Sequence, residues 1–237
     1  MTSDEREGYS NMHTRAWLNL PSILFSLFSA IWLGTIGLLT QAHSLENADY
    51  LSSLEAKIVQ EMNFARTNPG EYASFLNELK QYYDGKLLKK PGKIPLVTQE
   101  GVSAVDEALG FLRSAEQRPP LSPSRGMSRG ARDHVEDEGP KGLIGHQGSD
   151  GSDAGDRVNR YGTWEKQVGE NISYGGDEAR EIVMGLIIDD GVPERGHRKN
   201  LFNPNYYVVG VACGPHAIYH TMCVITFAGG YTESRKD

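Results

Sequence analysis

The sequence predicts an α+β protein built as a three-layer α-β-α sandwich around a largely antiparallel central sheet. Two observations carry that prediction. The first is a pair of β-like runs, Tyr206 to Gly214 and Ile218 to Ala228, which form a hairpin if the chain turns near Ile218. In that register one face carries Val209, Val211, Cys213, Cys223, Ile225 and Phe227, and the other carries Val208, Gly210, Ala212, Met222, Val224 and Thr226. Both faces are largely apolar, so the sheet needs cover on both sides. The second observation is that amphipathic helical patterns upstream supply such cover.

Composition sets the outer limits. The chain has 237 residues and shows no repeat at solenoid or propeller periods, which fits one large domain. With 38% hydrophobic and 23% charged residues it has the makings of a sizeable core. A formal net charge of −7, with scattered Lys and Arg, argues against a nucleic-acid partner, because phosphate binding needs clustered cations.

From Leu20 to Leu39 the chain is uncharged and apolar, with Arg15 before it and Thr40-Gln41-Ala42 after it. Small residues at Thr40 and Ala42 suit a signal peptidase, so cleavage after Ala42 is the favoured reading. The acidic stretch Asp4, Glu5 and Glu7, and a run long enough to span a bilayer, keep an uncleaved anchor open. Residues 1–42 are therefore read as signal peptide or membrane anchor, 43–50 as a linker, 51–231 as the folded domain and 232–237 as a tail. Either reading places the domain outside the cytosol: extracellular, periplasmic or at the cell surface. The hairpin register sets Cys213 opposite Cys223, so in that compartment a cross-strand disulfide is feasible. Two buried free thiols are the alternative.

The elements follow in order. Leu51, Leu54, Ile58, Met62 and Ala65 keep helical spacing, leaving Glu55, Lys57, Gln60 and Glu61 on the wet side. Asn68-Pro69-Gly70-Glu71 restarts the chain as an N-cap, a first-turn Pro and an acid three residues after the cap, and the helix it opens buries Tyr72, Phe75, Leu76 and Leu79. Asp84 to Pro95 lacks apolar periodicity and reads as an exposed loop. Val102, Val105, Leu109 and Leu112 share one face of a third helix, which Arg118-Pro119-Pro120 ends. A fourth begins after Ser122-Pro123 and carries Met127, Ala131, His134 and Val135. His134, beside apolar positions, reads as a structural histidine. Gly139 to Gly162 is rich in Gly, Ser and Asp and reads as a long loop whose acids form turns. Val168 to Tyr174 reads as a strand, and Asp177 as the cap of the next helix.

Asp189 to Pro204 concentrates the chemistry. An apolar helical run, Ile182 to Ile188, ends in Asp189-Asp190, a Gly-Val-Pro turn follows, and then Gly196-His197-Arg198. Imidazoles beside carboxylates can exchange protons or hold a metal ion.

Four separated pieces together resemble one family. Asn63-Phe64-Ala65-Arg66, Gly145-His146, Gly169-Glu170-Asn171-Ile172 and Gly196-His197-Arg198-Lys199-Asn200 are similar, in order and spacing, to the motifs of the CAP superfamily, or SCP domain, and closest to its microbial branch. The resemblance covers about Leu51 to Tyr231. It implies an α-β-α sandwich with a cleft lined by two histidines and two acids. His146, Glu170 and His197 match three of those positions. At the fourth, Leu186 stands for the family's Trp and Asp189 for its Glu, with Asp190 the alternative.

The implied function is a secreted or membrane-anchored binding module. Its cleft would hold a divalent cation, Zn²⁺ the most plausible, and bind a lipid, a cell-wall component or a partner protein. The membrane enters only through the N-terminal segment if that segment is uncleaved. A metal-dependent peptidase or cell-wall hydrolase is the competing reading, with Glu170 the catalytic candidate. No His-Glu-x-x-His helix supports it, so binding is favoured over catalysis. A third reading is a polar network that ties the long loop to the sheet without a ligand.

Overall fold

The computed structural model of the protein describes residues 48–234. The apolar segment, the cleavage site after Ala42, most of the linker and the end of the tail lie outside the described residues. Helices α1 (Ser53–Thr67) and α2 (Pro69–Lys80) come first. The two-residue strands β1 (Tyr83–Asp84), β2 (Leu87–Leu88) and β3 (Leu96–Val97) follow, then α3 (Val102–Ser114). Strand β4 (Ser122–Pro123), α4 (Arg125–Glu138), α5 (Ala154–Asn159) and β5 (Gly162–Tyr174) come next. The chain closes with α6 (Ala179–Ile188), α7 (Gly196–Leu201), β6 (Val208–His216) and β7 (His220–Glu233).

The central sheet has the order β4-β6-β7-β5 and is antiparallel apart from the short β4–β6 pair. Cys213 faces Cys223, Val211 faces Ile225 and Val209 faces Phe227, the register read from the hairpin pattern, and the two cysteines form a disulfide. The larger core packs Ile58, Met62, Leu76, Leu109 and Ile187 against Val209, Val211, Ile225 and Phe227. On the other face Ala131 and Val135 meet Ala212, Met222 and Val224, while Met127 and Val158 meet Ala228. The three layers are thus α1, α2, α3 and α6, then the sheet, then α4 and α5.

Strand β4 covers only the first two residues of β6, so the rest of that outer edge needs other hydrogen-bond partners. Ser128 Oγ accepts from Val211 N at 3.1 Å, and Glu55 Oε1 accepts from Cys213 N at 2.7 Å. Arg132 pairs with Glu55 and donates to the Cys213 carbonyl. Glu55 is consequently buried, a correction to its place on the wet side of the helical pattern. The same carboxylate completes a capping box with Ser52. A carboxylate at the start of a helix satisfies local donors, and here it also completes a sheet edge distant in sequence.

Other expectations are corrected by local hydrogen bonding. Asn68 is the N-cap of α2, but its side chain donates to Thr67 Oγ1 and makes no cap bond. Asp84 to Pro95 contributes to a small antiparallel sheet of order β1-β2-β3, turned by Gly85 at φ 61°. Glu178 is the N-cap of α6 in place of Asp177. Within Gly139 to Gly162 lies α5, started by a capping box in which Asp153 and Asp156 accept from each other's N–H groups. The strand expected from Val168 extends back to Gly162 across an irregularity between Glu165 and Val168.

Helix α4 lies directly on the sheet backbone at Gly210, where an added Cβ would come within 2.2 Å of the Met127 carbonyl carbon. Gly210→Ala should therefore destabilise the protein by about 3 kcal/mol, because α4 or the sheet must move. Gly110→Ala, on the open side of α3 with nothing within 4 Å of the new Cβ, should instead stabilise by up to about 1 kcal/mol. Urea unfolding of both variants checks the contrast.

Candidate functional site

Edge strand β5 organises the site, because Glu170 and Asn171 point to opposite faces of the sheet. Glu170 pairs in register with Thr226 and shares the α4–α5 side; Asn171 pairs with Ile225 and shares the α6–α7 side.

On the first side, the carboxylate of Glu170 is buried between two cationic or protonatable groups. His146 Nδ1 lies 2.9 Å from Oε1, and Arg157 Nη2 donates to Oε2 at 2.7 Å. The Arg157 side chain is only 2% exposed, while that of His146 is 57% exposed, so the ring closes the pair from the solvent side. Arg157 Nη1 also donates to the carbonyls of His146 and Ser152, which fixes the loop backbone that presents the imidazole. One residue earlier, Gly145 sits at φ 124°; its N–H donates to Tyr174 Oη at 3.0 Å and its carbonyl lies 2.9 Å from His134 Nε2. His134 is thus structural and positions the loop. Burial raises the Tyr174 hydroxyl pKa above its usual range, while the hydrogen bond from Gly145 acts in the opposite direction.

On the second side, the nearly all-apolar α6 ends when Asp189 turns left-handed at φ 57°. This bend aims the carboxylate at the first turn of α7. Asp189 Oδ2 accepts from His197 N at 2.9 Å and from Arg198 N at 3.3 Å, and Oδ1 lies 2.6 Å from His197 Nδ1. Asp189 is 3% exposed, and the His197 side chain is 26% exposed. The neighbouring acid does different work: Asp190 accepts from Gln99 N and Glu100 N at 2.6 and 2.8 Å, ahead of α3. Asp189 is therefore the acid that touches His197. Arg195, also left-handed, donates to the Asp189 carbonyl and pairs with Glu100 and Glu107. Arg195, with the Gly191 N–H, holds the Glu100 carboxyl down to about 2.

Asparagines join the two sides. Asn171 Nδ2 donates to the His197 carbonyl at 2.9 Å, and Asn200 Nδ2 donates to Asn171 Oδ1 at 2.9 Å and to the Glu170 carbonyl at 3.2 Å. Two acid-held imidazoles therefore flank the same two residues of β5. Sequence reasoning named both histidines and both acids, but gave no role to Arg157, Asn171, Asn200 or Arg195. Asn171 and Asn200 stood inside the quoted motifs. For Arg157 the available signal was the Asp153/Asp156 capping pattern, which marks a helix inside the apparent loop.

The arrangement limits how a metal ion would be held. Among the described residues no group of three or more His, Cys, Asp or Glu side chains is placed to hold one ion. Both carboxylates are engaged by imidazole Nδ1 and by Arg157 or backbone N–H groups. When Nδ1–H is donated to a carboxylate, Nε2 carries the lone pair. Each histidine then offers one nitrogen, with its acid as an outer support, an arrangement common around metal-bound imidazoles.

Residues 111–226 match the sequence model of the family described as CAP, the cysteine-rich secretory protein family. Just under half of the chain thus matches the CAP family. Its CAP domain is similar to the uncharacterized protein YkwD of Bacillus subtilis, 31% identical over 114 residues that span 46% of this chain and 42% of that protein. The chain thus matches less than half the length of that relative. Among solved structures, an extracellular protein containing an SCP domain from Bacillus anthracis aligns at TM-score 0.38 and 23% identity, covering 47% of this chain and 34% of that one. An outer surface protein from Borrelia burgdorferi aligns at TM-score 0.39 and 18% identity, covering 46% and 76% respectively.

Two consequences of the geometry are measurable. Arg157→Leu leaves a buried carboxylate without its cation and should cost about 3–5 kcal/mol, whereas the Arg157→Leu/Glu170→Leu double variant should cost clearly less than the sum of the two single changes. Urea unfolding of the four-member cycle decides it, and simple additivity would contradict the pairing. Glu100 titrates lower in the folded chain than its ordinary 4.5, so its ion pair contributes stability above about pH 4.5 and loses it as pH falls through about 2. Wild type should therefore melt above Glu100→Gln at neutral pH, and the gap should close across that window.

Proposed function

We propose that this chain is an exported CAP-domain binding module. Its cleft at the β5 edge takes a divalent cation, Zn²⁺ first, through His146 and His197. The observation that carries this reading is that both imidazoles have Nδ1 held by a buried carboxylate, Glu170 or Asp189, with no partner for either Nε2 among the described residues. Bound there, the cation would supply a site for an anionic or carbonyl oxygen of a lipid, cell-wall or protein ligand. Export is supported by the apolar segment Leu20 to Leu39 and by the Cys213–Cys223 disulfide, since such bonds persist in oxidising compartments.

A second reading is favoured by a specific observation: every oxygen of Glu170 and Asp189 already has an intramolecular partner. On that reading the four residues form a polar network that ties the loop and α7 to β5. Zn²⁺ titration of the full chain separates the two. The cation reading expects melting to rise with Zn²⁺, by the equivalent of about 2.7 kcal/mol at a hundredfold excess over Kd. It also expects binding to weaken in acid, because protons compete with the cation for the imidazole nitrogens. His146→Ala/His197→Ala should abolish both effects. Equal Zn²⁺ binding by wild type and the double variant would overturn the cation reading and leave the network.

A further inference from the structure

Away from β5, a cavity of about 360 Å³ opens between the C-terminal ends of α3 and α7. Its apolar wall includes Phe111 and Phe202, packed edge to face with centroids 5.0 Å apart, and its rim carries Arg118, Lys199 and Glu116. We propose that this cavity binds a small amphiphilic anion, a carboxylate or sulfonate on an aromatic or short aliphatic body. The inference does not rest on the cation reading of the β5 cleft.

Charge behind the wall carries the argument. Arg66 is fully buried, and its guanidinium donates to backbone carbonyls alone: Pro119, Leu201, Asn203 and Tyr206. No carboxylate neutralises it among those contacts. Of these residues Asn203 lines the cavity, while Pro119 and Leu201 adjoin the lining residues Arg118 and Phe202, and Arg118 N donates back to the Arg66 carbonyl at 2.8 Å. Burial first, and then the charge of Arg118, pulls the Arg66 guanidinium down to about 10.

At the rim, Arg118 has one acidic contact, with Glu116 at 3.0 Å, and the Glu116 side chain is 80% exposed, so screening weakens that pair. Lys199 is exposed and makes no ion pair among the described residues. Two cations, Arg118 and Lys199, thus line the opening against one solvated carboxylate, with the buried Arg66 behind the wall, on a chain whose net charge is −7. Low-dielectric walls concentrate such a field toward the opening. The apolar rings reward burial of a hydrocarbon body, and the rim rewards a single negative head, while the small volume excludes a long chain folded inside.

The test compares two probes of nearly equal shape, 2-naphthoate and 2-naphthalenemethanol, by isothermal titration of the full chain. The carboxylate should bind about tenfold or more tightly than the alcohol, and should weaken as salt rises to about 0.5 M. Lys199→Glu, an exposed change that leaves the core untouched, should weaken naphthoate about tenfold and leave the alcohol within about twofold. Arg118→Gln should act in the same direction. Equal affinity for the two probes, naphthoate binding indifferent to Lys199→Glu, or no naphthoate binding at millimolar concentration would each overturn the proposal.

Discussion

Two carboxylates carried below the surface, Glu170 on β5 and Asp189 at the end of α6, are the constraint around which the candidate site is built. A buried acid is tolerated only where ionic or hydrogen-bond partners replace lost water. Glu170 meets that requirement with Arg157 and His146, which obliges the chain between α4 and β5 to form α5 and return to the sheet. Asp189 meets it with backbone N–H groups of His197 and Arg198, which fixes where α7 begins. The imidazoles are held because the acids must be satisfied. That dependence gives both the cation reading and the polar-network reading the same geometric starting point.

The framework was legible wherever a short period decides the outcome. The turn near Ile218 set the hairpin register, and with it the facing of Cys213 and Cys223, while the apolar character of both faces called for cover on each side. Helical spacing was similarly reliable for Ile58, Met62 and Ala65. It failed for Glu55, since polarity places a residue at the surface by default and the N–H that draws this one inward comes from residue 213. The site followed the same rule. His146, Glu170, His197 and Asp189 stood in compact motifs, but Arg157 and Arg195 are defined by partners on other elements, which no local pattern encodes.

The cavity beside α7 shows how a single structural arginine can shape its surroundings. Arg66 draws carbonyls from two distant segments around one guanidinium, which ties α1 to the chain before β4 and to the chain before β6. An apolar residue of similar length could fill the space but could not gather four carbonyl oxygens. The charge is thus a by-product of a clasp, and it gives the adjacent surface a polarity opposite to that of the protein as a whole.

The short reach of β4 bears on the order in which the protein can assemble. Until α1 and α4 dock, β6 presents an open rim beside Cys213, and another chain could pair with that rim as readily as Glu55 and Ser128 do in the finished domain. Two hairpins meeting in that way would bring thiols of different molecules together. In the finished domain the buried acid on the first turn of α1 occupies that rim, so the edge beside Cys213 is closed to a strand from another molecule.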